Sequence, residues 1–234
     1  MTFRIHHRAV TRSTNLDARA GVPGDVFTAD EQTAGRGRLD HRWLSAPGAN
    51  LMLSAVLDVA DLPPEQVATL PLAVGLAVHA AIARFLPGGE IRLKWPNDVL
   101  VGGRKIAGIL CERNGDGVIA GVGVNVNQTA FAPEIADRAT SLAREGASTS
   151  VAEMRDAVLA ELDRVHGTWR TAGFAALQAR YAEVDFLKGR NVSVRQTDDD
   201  ETPLTGLCAG VQVDGTLCVG GRPVYAGEAH VCAY

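Results

Sequence analysis

The sequence has few lysines, few aromatic residues and no closely spaced cysteines. Lys94, Lys105 and Lys188 are its only lysines among 23 basic residues, and aromatic residues make up 5% of the chain. None of the four cysteines forms the C-x-x-C spacing of zinc sites and redox motifs. We therefore expect reduced thiols and a cytoplasmic protein, since the first 13 residues are also too polar for a signal peptide.

Several common catalytic motifs are absent as well. The sequence has no G-x-x-x-x-G-K-[ST] phosphate loop, no G-x-S-x-G nucleophile elbow and no H-E-x-x-H zinc motif. Gly121-Val122-Gly123 lacks the third glycine of a dinucleotide-binding fingerprint. The net charge of −4 argues against DNA or RNA as the main partner, because such binders usually carry a basic face.

What is present is a chain of 234 residues, of which 46% are hydrophobic and 21% charged. This is enough for one sizeable core with a small appendage. The apolar segment 67–86 raises the question of a membrane span. Pro71, His79 and Arg84 interrupt it, so we predict a buried helix and no membrane association.

The residue patterns predict an α+β fold in which a mixed, largely antiparallel sheet packs with helices. Thr14 and Asp17 resemble a capping box that starts a short helix ending near Gly21. Gly102-Gly103 predicts a tight hairpin. The predicted strands are 3–10, 25–32, 50–58, 90–95, 99–101, 104–112 and 118–127, and the longer helices are 63–86, 151–171 and 174–184.

After residue 186 the character of the chain changes. Short strands at 191–196, 204–213, 216–219 and 223–231 predict a small C-terminal β-barrel. The acidic turn Asp198–Glu201 would be a solvated hairpin tip. We therefore predict a first domain of residues 1–186 and a second of residues 187–234.

The stretch from Gln32 to Arg38 alternates glycine with arginine. Gly35 and Gly37 leave the backbone loose, whereas Arg36 and Arg38 offer planar forks of donors for phosphate or carboxylate oxygens. This combination predicts a loop that closes over an anion. The alternative is a basic turn in solvent.

A second motif, Lys94-Trp95-Pro96-Asn97-Asp98, precedes an apolar strand that carries Lys105 near its start. A lysine there can neutralise charge that develops on a phosphate or carboxylate. Gly108 weakens the strand and hints at a ligand close to the backbone. The alternative is a strand end with a buried tryptophan.

Asn125 and Asn127 lie in the apolar run that follows Gly121. A buried asparagine needs partners, so we expect one of the two to face a polar ligand. A structural β-bulge is the competing explanation.

Five motifs together resemble the biotin protein ligase family in order and spacing, over nearly the whole chain. They are the stretch 32–38, Ala49-Asn50-Leu51, the Lys94–Asp98 motif, the run 104–110 and the run 121–125, and Ala226-Gly227-Glu228 resembles part of the family's C-terminal β-barrel. The resemblance implies a class II synthetase-like catalytic domain in the short form, without the N-terminal DNA-binding domain of some members.

The resemblance also implies a two-step acyl transfer. Biotin attacks ATP, with Mg²⁺, to form biotinyl-5′-AMP and pyrophosphate, and a lysine of a carboxyl-carrier domain of a biotin-dependent carboxylase then attacks this intermediate. The implied partners are biotin, ATP and the carrier domain, with no DNA. An exposed edge of the predicted meander would allow a homodimer.

Family resemblance assigns three sets of residues. Lys105, Arg36 and Arg38 would be catalytic. The biotin-binding set would be Ser13, Thr14, Asn15, Gln32, Gly35, Arg36, Gly37, Arg38, Lys105, Gly108 and Gly121. The ATP-binding set would be Arg36, Arg38, Trp43, Asn97, Lys105 and Asn125, and no metal ligand is assigned.

One departure from the family pattern follows the loop. Leu39-Asp40-His41 stands where members commonly have a glycine and a further arginine, so we hypothesise a weaker hold on the intermediate or a loop that orders differently. Two other readings stay open. One is a lipoate–protein ligase or octanoyl transferase of the same fold, and the other is a non-catalytic sensor of biotin or its adenylate.

Overall fold

A seven-stranded mixed sheet organises most of the chain. In the computed structural model, which describes residues 1–38, 41–196 and 202–232, the strand order is β1-β2-β3-β7-β6-β5-β4. β1 and β2 are parallel, and every other neighbouring pair is antiparallel. The strands are β1 (Arg4–Thr11), β2 (Asp25–Gln32), β3 (Leu51–Asp58), β4 (Ile91–Lys94), β5 (Asp98–Val101), β6 (Arg104–Asn114) and β7 (Gly117–Val124). The predicted mixed sheet is therefore confirmed.

Tight turns join the strands of the meander. Gly102 and Gly103 have φ of 55° and 78°, which is the left-handed pair that a two-residue hairpin requires. Gly115, at φ 58°, turns the chain from β6 into β7. As a result β7 lies between β3 and β6 in the interior of the sheet.

Two long helices cover one face of this sheet. α3 (Leu70–Ala83) and α4 (Val151–Ala172) pack against each other, and α5 (Ala175–Val184) follows α4. Trp169 of α4 is fully buried, and its Nε1 donates to Thr69 Oγ1 over 2.8 Å. This bond gives the buried indole N–H the partner that it needs.

The long apolar segment forms two helices, whereas the sequence predicted one. It contains α2 (Pro64–Val67) and then α3, with Pro71 in the first turn of α3. Proline lacks a backbone N–H and is tolerated only near a helix start, so the chain restarts its helix there. By length and composition alone, Pro64–Ala83 could cross a membrane. In the structure α3 is buried on nearly all sides, as a core helix is.

The predicted capping box at Thr14 and Asp17 is wrong. α1 (Thr14–Asp17), which continues into a 3₁₀ turn (Ala18–Ala20), has Ser13 at its N-cap and no side-chain cap. Asp17 instead lies 3.6 Å from the Arg8 guanidinium. A capping box forms at α4, where Ser150 and Glu153 bond each other's backbone N–H groups.

The C-terminal strands form a second, five-stranded antiparallel sheet in the order β11-β10-β9-β8-β12. These strands are β8 (Asn191–Arg195), β9 (Leu204–Val211), β10 (Leu217–Val219), β11 (Arg222–Val224) and β12 (Glu228–Val231). Within the described residues β11 and β12 do not pair, so barrel closure stays a prediction, as does the domain boundary. The predicted acidic tip at 198–201 lies outside these residues.

The second sheet is tied to the first part of the chain. Trp95 Nε1 donates to the Gly215 carbonyl over 3.1 Å. Asp185 accepts the backbone N–H groups of Leu187 and Val211, although burial raises the pKa of this carboxyl above its usual value. Both sheets share one hydrophobic core.

Asp25 links the edge strand β1 to β2. Its carboxylate accepts the Val22 N–H at 2.9 Å and the Arg4 Nε–H at 2.8 Å, and His6 Nε2 lies 3.1 Å away. The Val22 and His6 hydrogen bonds are the main causes that lower the pKa of Asp25 from 3.8 to about 2.

This shift predicts a pH-dependent loss of stability. A carboxyl whose pKa is lower in the folded state stabilises fully above its unfolded pKa and loses that contribution as the pH falls. We expect the stability advantage of the wild type over Asp25→Asn to shrink between pH 4 and about 2. Urea unfolding of both proteins at several pH values measures it, and a constant difference would contradict the assignment.

Candidate active site

A cavity of about 730 Å³, including its open mouth, lies against the middle of the large sheet. The glycine–arginine loop, the start of α1, the β4–β5 turn, β6, β7 and β12 contribute to its wall. Eleven predicted site residues line it: Ser13, Asn15, Gln32, Arg36, Gly37, Arg38, Trp43, Asn97, Lys105, Gly108 and Gly121. Residues distant in sequence therefore meet at one place.

Glycines form the floor of the cavity. A β-carbon at Gly121 would overlap Asn15 Oδ1, and one at Gly123 would come 2.6 Å from the Trp43 ring. A β-carbon at Gly108 would lie 3.2–3.3 Å from Lys105 and Trp43. Because these positions lack side chains, other groups approach the backbone of β6 and β7 directly.

One wall is a network of neutral hydrogen-bonding groups. Gln32 Oε1 accepts the Thr14 N–H at 2.7 Å and lies 3.1 Å from Thr14 Oγ1. Ser54 Oγ is 2.6 Å from Asn15 Oδ1, to which it donates. These bonds connect α1, β2 and β3, so the polar groups of this wall are held in fixed positions.

The glycine–arginine loop folds back on itself. The Gly37 N–H donates to the His41 carbonyl over 2.7 Å, and the Trp43 N–H donates to the Gly35 carbonyl over 3.1 Å. A β-carbon at Gly35 would lie 2.5 Å from the Trp43 carbonyl oxygen. Gly35 therefore allows the two arms of the loop to approach closely, and it does not line the cavity. Leu39 and Asp40 lie outside the described residues, so the hypothesis on Asp40 stays a prediction.

The two loop arginines face carboxylates. Arg36 Nη1 donates to Glu112 Oε1 over 2.8 Å. Arg38 is half-buried, and burial lowers its pKa, while Glu228 and Asp98 oppose that shift. His41 Nδ1 lies 3.5 Å from Glu228 Oε1, which brings the loop against β12 of the second sheet.

Lys105 and Asp98 form the other charged pair of the cavity. Lys105 Nζ lies 2.7 Å from Asp98 Oδ1 and 5.9 Å from the centre of the Trp43 ring. Trp43 Nε1 is buried and has no hydrogen-bond partner among the described residues. A buried donor without a partner is costly, so this N–H points to a ligand group as its acceptor.

Lys94 lies next to the Lys105–Asp98 pair but does not line the cavity. It is opposite Asp98 in the β4–β5 register. Burial lowers its pKa, and Asp98 raises it. Lys94 therefore lies next to the charged pair of the cavity, in surroundings that disfavour its charged form.

Two asparagines of the predicted ATP set have structural bonds. Asn97 lines the cavity, and its Nδ2 donates to the Ile109 carbonyl over 3.0 Å. Asn125 is buried outside the lining, and its Nδ2 donates to the Thr140 carbonyl over 2.9 Å. Thr14, Gly35 and Asn125 are the predicted residues that the lining does not include.

Sequence reasoning missed nine lining residues: His41, Arg42, Met52, Asp98, Ile109, Leu110, Val122, Gly123 and Glu228. Asp98 and Gly123 stand inside motifs that the sequence analysis singled out, so their position was a usable signal. Glu228 stands in the Ala226-Gly227-Glu228 motif, but that motif predicted only the second sheet and gave no sign that this sheet packs against the cavity.

The cavity can therefore hold a ligand with two different ends. Neutral donors and acceptors lie at the Asn15 wall, and Arg36, Arg38 and Lys105 supply positive charge at the loop. Such an arrangement suits a neutral polar head group joined to a carboxylate or phosphate.

Comparisons with known proteins give one family. Residues 9–128 match the model of the biotin/lipoate A/B protein ligase family. The chain is 38% identical to the biotin–[acetyl-CoA-carboxylase] ligase of Mycobacterium tuberculosis, over 95% of this chain and 86% of that protein. It is 31% identical to the bifunctional ligase/repressor BirA of Bacillus subtilis, over 83% of this chain and 61% of that one.

A solved structure gives the same likeness. The biotin protein ligase of Aquifex aeolicus in complex with biotin and ATP superimposes with a TM-score of 0.86 at 27% identity, covering 97% of this chain and 99% of that one.

The glycine floor predicts an asymmetry between two alanine substitutions. Gly121→Ala should lower the free energy of unfolding by about 1–3 kcal/mol, because the new methyl displaces Asn15. Gly167→Ala, on the exposed side of α4 with no atom near the added methyl, should raise it by up to about 1 kcal/mol. Urea unfolding of both variants measures this, and equal effects would argue against a close-packed floor.

Proposed function

The chain belongs to the biotin/lipoate A/B protein ligase family, and from this premise we propose that it is an ATP-dependent biotin protein ligase. It activates biotin as biotinyl-5′-AMP and transfers the biotinyl group to a lysine of a biotin carboxyl-carrier domain. The observation that carries the proposal is a single cavity with a neutral hydrogen-bonding wall beside Arg36, Arg38 and Lys105.

Biotin has the two ends that this cavity suits. Its ureido ring is neutral and offers N–H donors and a carbonyl acceptor, which match the amides of Asn15 and Gln32. Its compact fused ring system can pack against the glycine floor, and its valeric acid chain ends in a carboxylate. In this pose the carboxylate points toward the arginines of the loop.

The first step is in-line displacement at the α-phosphorus of ATP. A carboxylate oxygen of biotin forms the new P–O bond, and pyrophosphate leaves with the electrons of the broken bond. This reaction needs positioning and charge neutralisation more than a protein nucleophile. Arg36, Arg38 and Lys105 provide both, while the indole Nε1–H of Trp43 is available to a ligand oxygen or nitrogen.

The second step is attack of a carrier lysine on the carbonyl of the mixed anhydride, with AMP as the leaving group. The attacking amine must lose a proton, and a carboxylate near the reacting atoms can accept it. Asp98 lines the cavity beside Lys105, and we assign it this role. The loop over the site would keep water from hydrolysing the anhydride.

Mg²⁺ is part of the proposal. Magnesium is usually held by one or two carboxylates, waters and substrate phosphates, and not by an all-protein cage. The described residues contain no group of three potential metal ligands. Asp98 Oδ1 is buried and pairs with Lys105, and Asp98 is the proposed base of the second step. We therefore assign no protein ligand to Mg²⁺, which would be held chiefly by the phosphates of ATP and would neutralise their charge.

Four further assignments are also proposals. We propose that the C-terminal sheet closes into a small barrel that forms the second domain, residues 187–234. We also propose that the protein works in the cytoplasm and does not bind DNA. An exposed edge of the large sheet would support a homodimer.

Pyrophosphate release tests the first step directly. The protein is mixed with ATP and Mg²⁺, and biotin or lipoate is the only added acid, without a carrier protein. We expect release that depends on biotin. Release with lipoate alone would assign the chain to the lipoate branch of the family. No release with either acid, together with tight biotin binding, would make it a sensor.

Substitution of Lys105 tests its role in that step. Lys105→Ala should reduce biotin-dependent pyrophosphate release about 100-fold or more, because a charge that stabilises the transition state is lost. Lys105→Ala also removes the ion-pair partner of Asp98, so urea unfolding checks that the variant is folded before its activity is compared. Lys188→Ala, in the second half of the chain, is the matched control and should keep full activity. Near-normal release by Lys105→Ala would refute the assigned role.

A further inference from the structure

Glu112 lies on β6 just outside the cavity and contacts two residues that line it. Its carboxylate is 21% exposed. Oε2 accepts a hydrogen bond from Asn15 Nδ2 at 2.7 Å, and Oε1 accepts one from Arg36 Nη1 at 2.8 Å. One carboxylate thus joins the neutral wall of the site to the glycine–arginine loop.

The bond to Asn15 decides which way its amide points. A carboxylate only accepts, so the atom that faces Glu112 must be the amide nitrogen. The same nitrogen lies 3.4 Å from the Leu110 carbonyl, another acceptor. Oδ1 is then directed toward Ser54 and over Gly121, where it can accept a hydrogen bond from a ligand N–H.

The bond to Arg36 connects the glycine–arginine loop, in which the backbone hydrogen bonds of Gly35 and Gly37 join its own two arms, to the large sheet. Gly35 and Gly37 flank Arg36, and glycine restricts the backbone less than any other residue. The Arg36 side chain is 43% exposed, so its local packing does not hold it. Its charge-assisted hydrogen bond to Glu112 ties the loop to the interior strand β6.

We propose that Glu112 is a positioning residue that orients the Asn15 amide for biotin and anchors Arg36 for the adenylate. This inference rests on the proposed function. Glu112 acts through two separate partners, so its removal has two separable effects. Biotin affinity in the absence of ATP reports on Asn15. The adenylate carries the same biotin group, so any loss of adenylate retention beyond the loss of biotin affinity reports on Arg36.

Glu112→Gln is the main variant, since it keeps the size of the side chain. The amide of glutamine is neutral and has one oxygen, so one of the two hydrogen bonds is lost and the other is no longer charge-assisted. We expect biotin affinity, measured by calorimetry without ATP, to fall about tenfold through Asn15. Release of labelled biotinyl-5′-AMP should speed up about 100-fold, because the adenylate loses support from both Asn15 and Arg36. Arg19→Ala is the control. Arg19 Nη2 lies 3.8 Å from Glu112 Oε1, but Arg19 does not line the cavity, so this variant should change neither biotin affinity nor adenylate release.

Double variants separate positioning from a general structural role. In the double variants Glu112→Ala replaces Glu112→Gln, because a glutamine could still accept from the one partner that remains. Adding Glu112→Ala to Arg36→Ala should weaken biotin binding and adenylate binding by the same factor, through Asn15. Adding it to Asn15→Ala should leave biotin affinity unchanged while adenylate release still speeds up, through Arg36. Additive losses in both backgrounds, or wild-type values for Glu112→Gln alone, would overturn the proposal.

The two proposals fail in different ways. Absence of biotin-dependent pyrophosphate release by the wild type would overturn the proposed function. Normal release by the wild type, with unchanged affinity and retention in Glu112→Gln, would overturn only the role of Glu112. Urea unfolding of each variant ensures that only folded protein is compared.

Discussion

The site depends on the absence of side chains at three positions in the interior of the large sheet. Gly108 and Gly123 are partners in the β6–β7 register, and Gly121 lies two residues before Gly123. The opposite side of β7 is anchored in the main core by buried residues such as Ala120 and Val124. The strand is therefore held firmly while its glycines leave room for Asn15, Trp43 and a ligand. Bulk at these positions would fill the cavity before anything could bind.

Charge imposes the second constraint. Bringing Arg36, Arg38 and Lys105 to one cavity is unfavourable unless each meets an opposite charge. The structure provides Glu112 for Arg36 and Asp98 for Lys105, while Glu228 and Asp98 act on Arg38. An anionic ligand must compete with these carboxylates. A triphosphate, or an adenylate together with a carboxylate, can compete because it contacts several cations at once. A single weak anion contacts too few cations to do so.

The sequence predicted the parts of the fold that local chemistry determines. Gly102-Gly103 requires a left-handed turn whatever surrounds it, and most strand limits were correct within one or two residues. The capping box failed because Ser13, and not Thr14, precedes the helix, so Thr14 is free to bond Gln32. The long apolar segment was predicted as one unbroken helix, because its composition favours a helix and Pro71 is the single residue that indicates a break.

The same distinction holds for the site. Motif residues such as Arg36 and Lys105 were predicted, because contiguous sequence carries their pattern. Glu112 and Glu228 were not, since each reaches the site through strand register or sheet packing. Glu228 stands in a noted motif, but that motif does not indicate which part of the chain the second sheet packs against. Glu228 also shows that the cavity draws on both halves of the chain. A boundary at residue 187 follows the change in composition, but Glu228, beside Arg38 and His41, makes the second sheet part of the wall that the loop closes against.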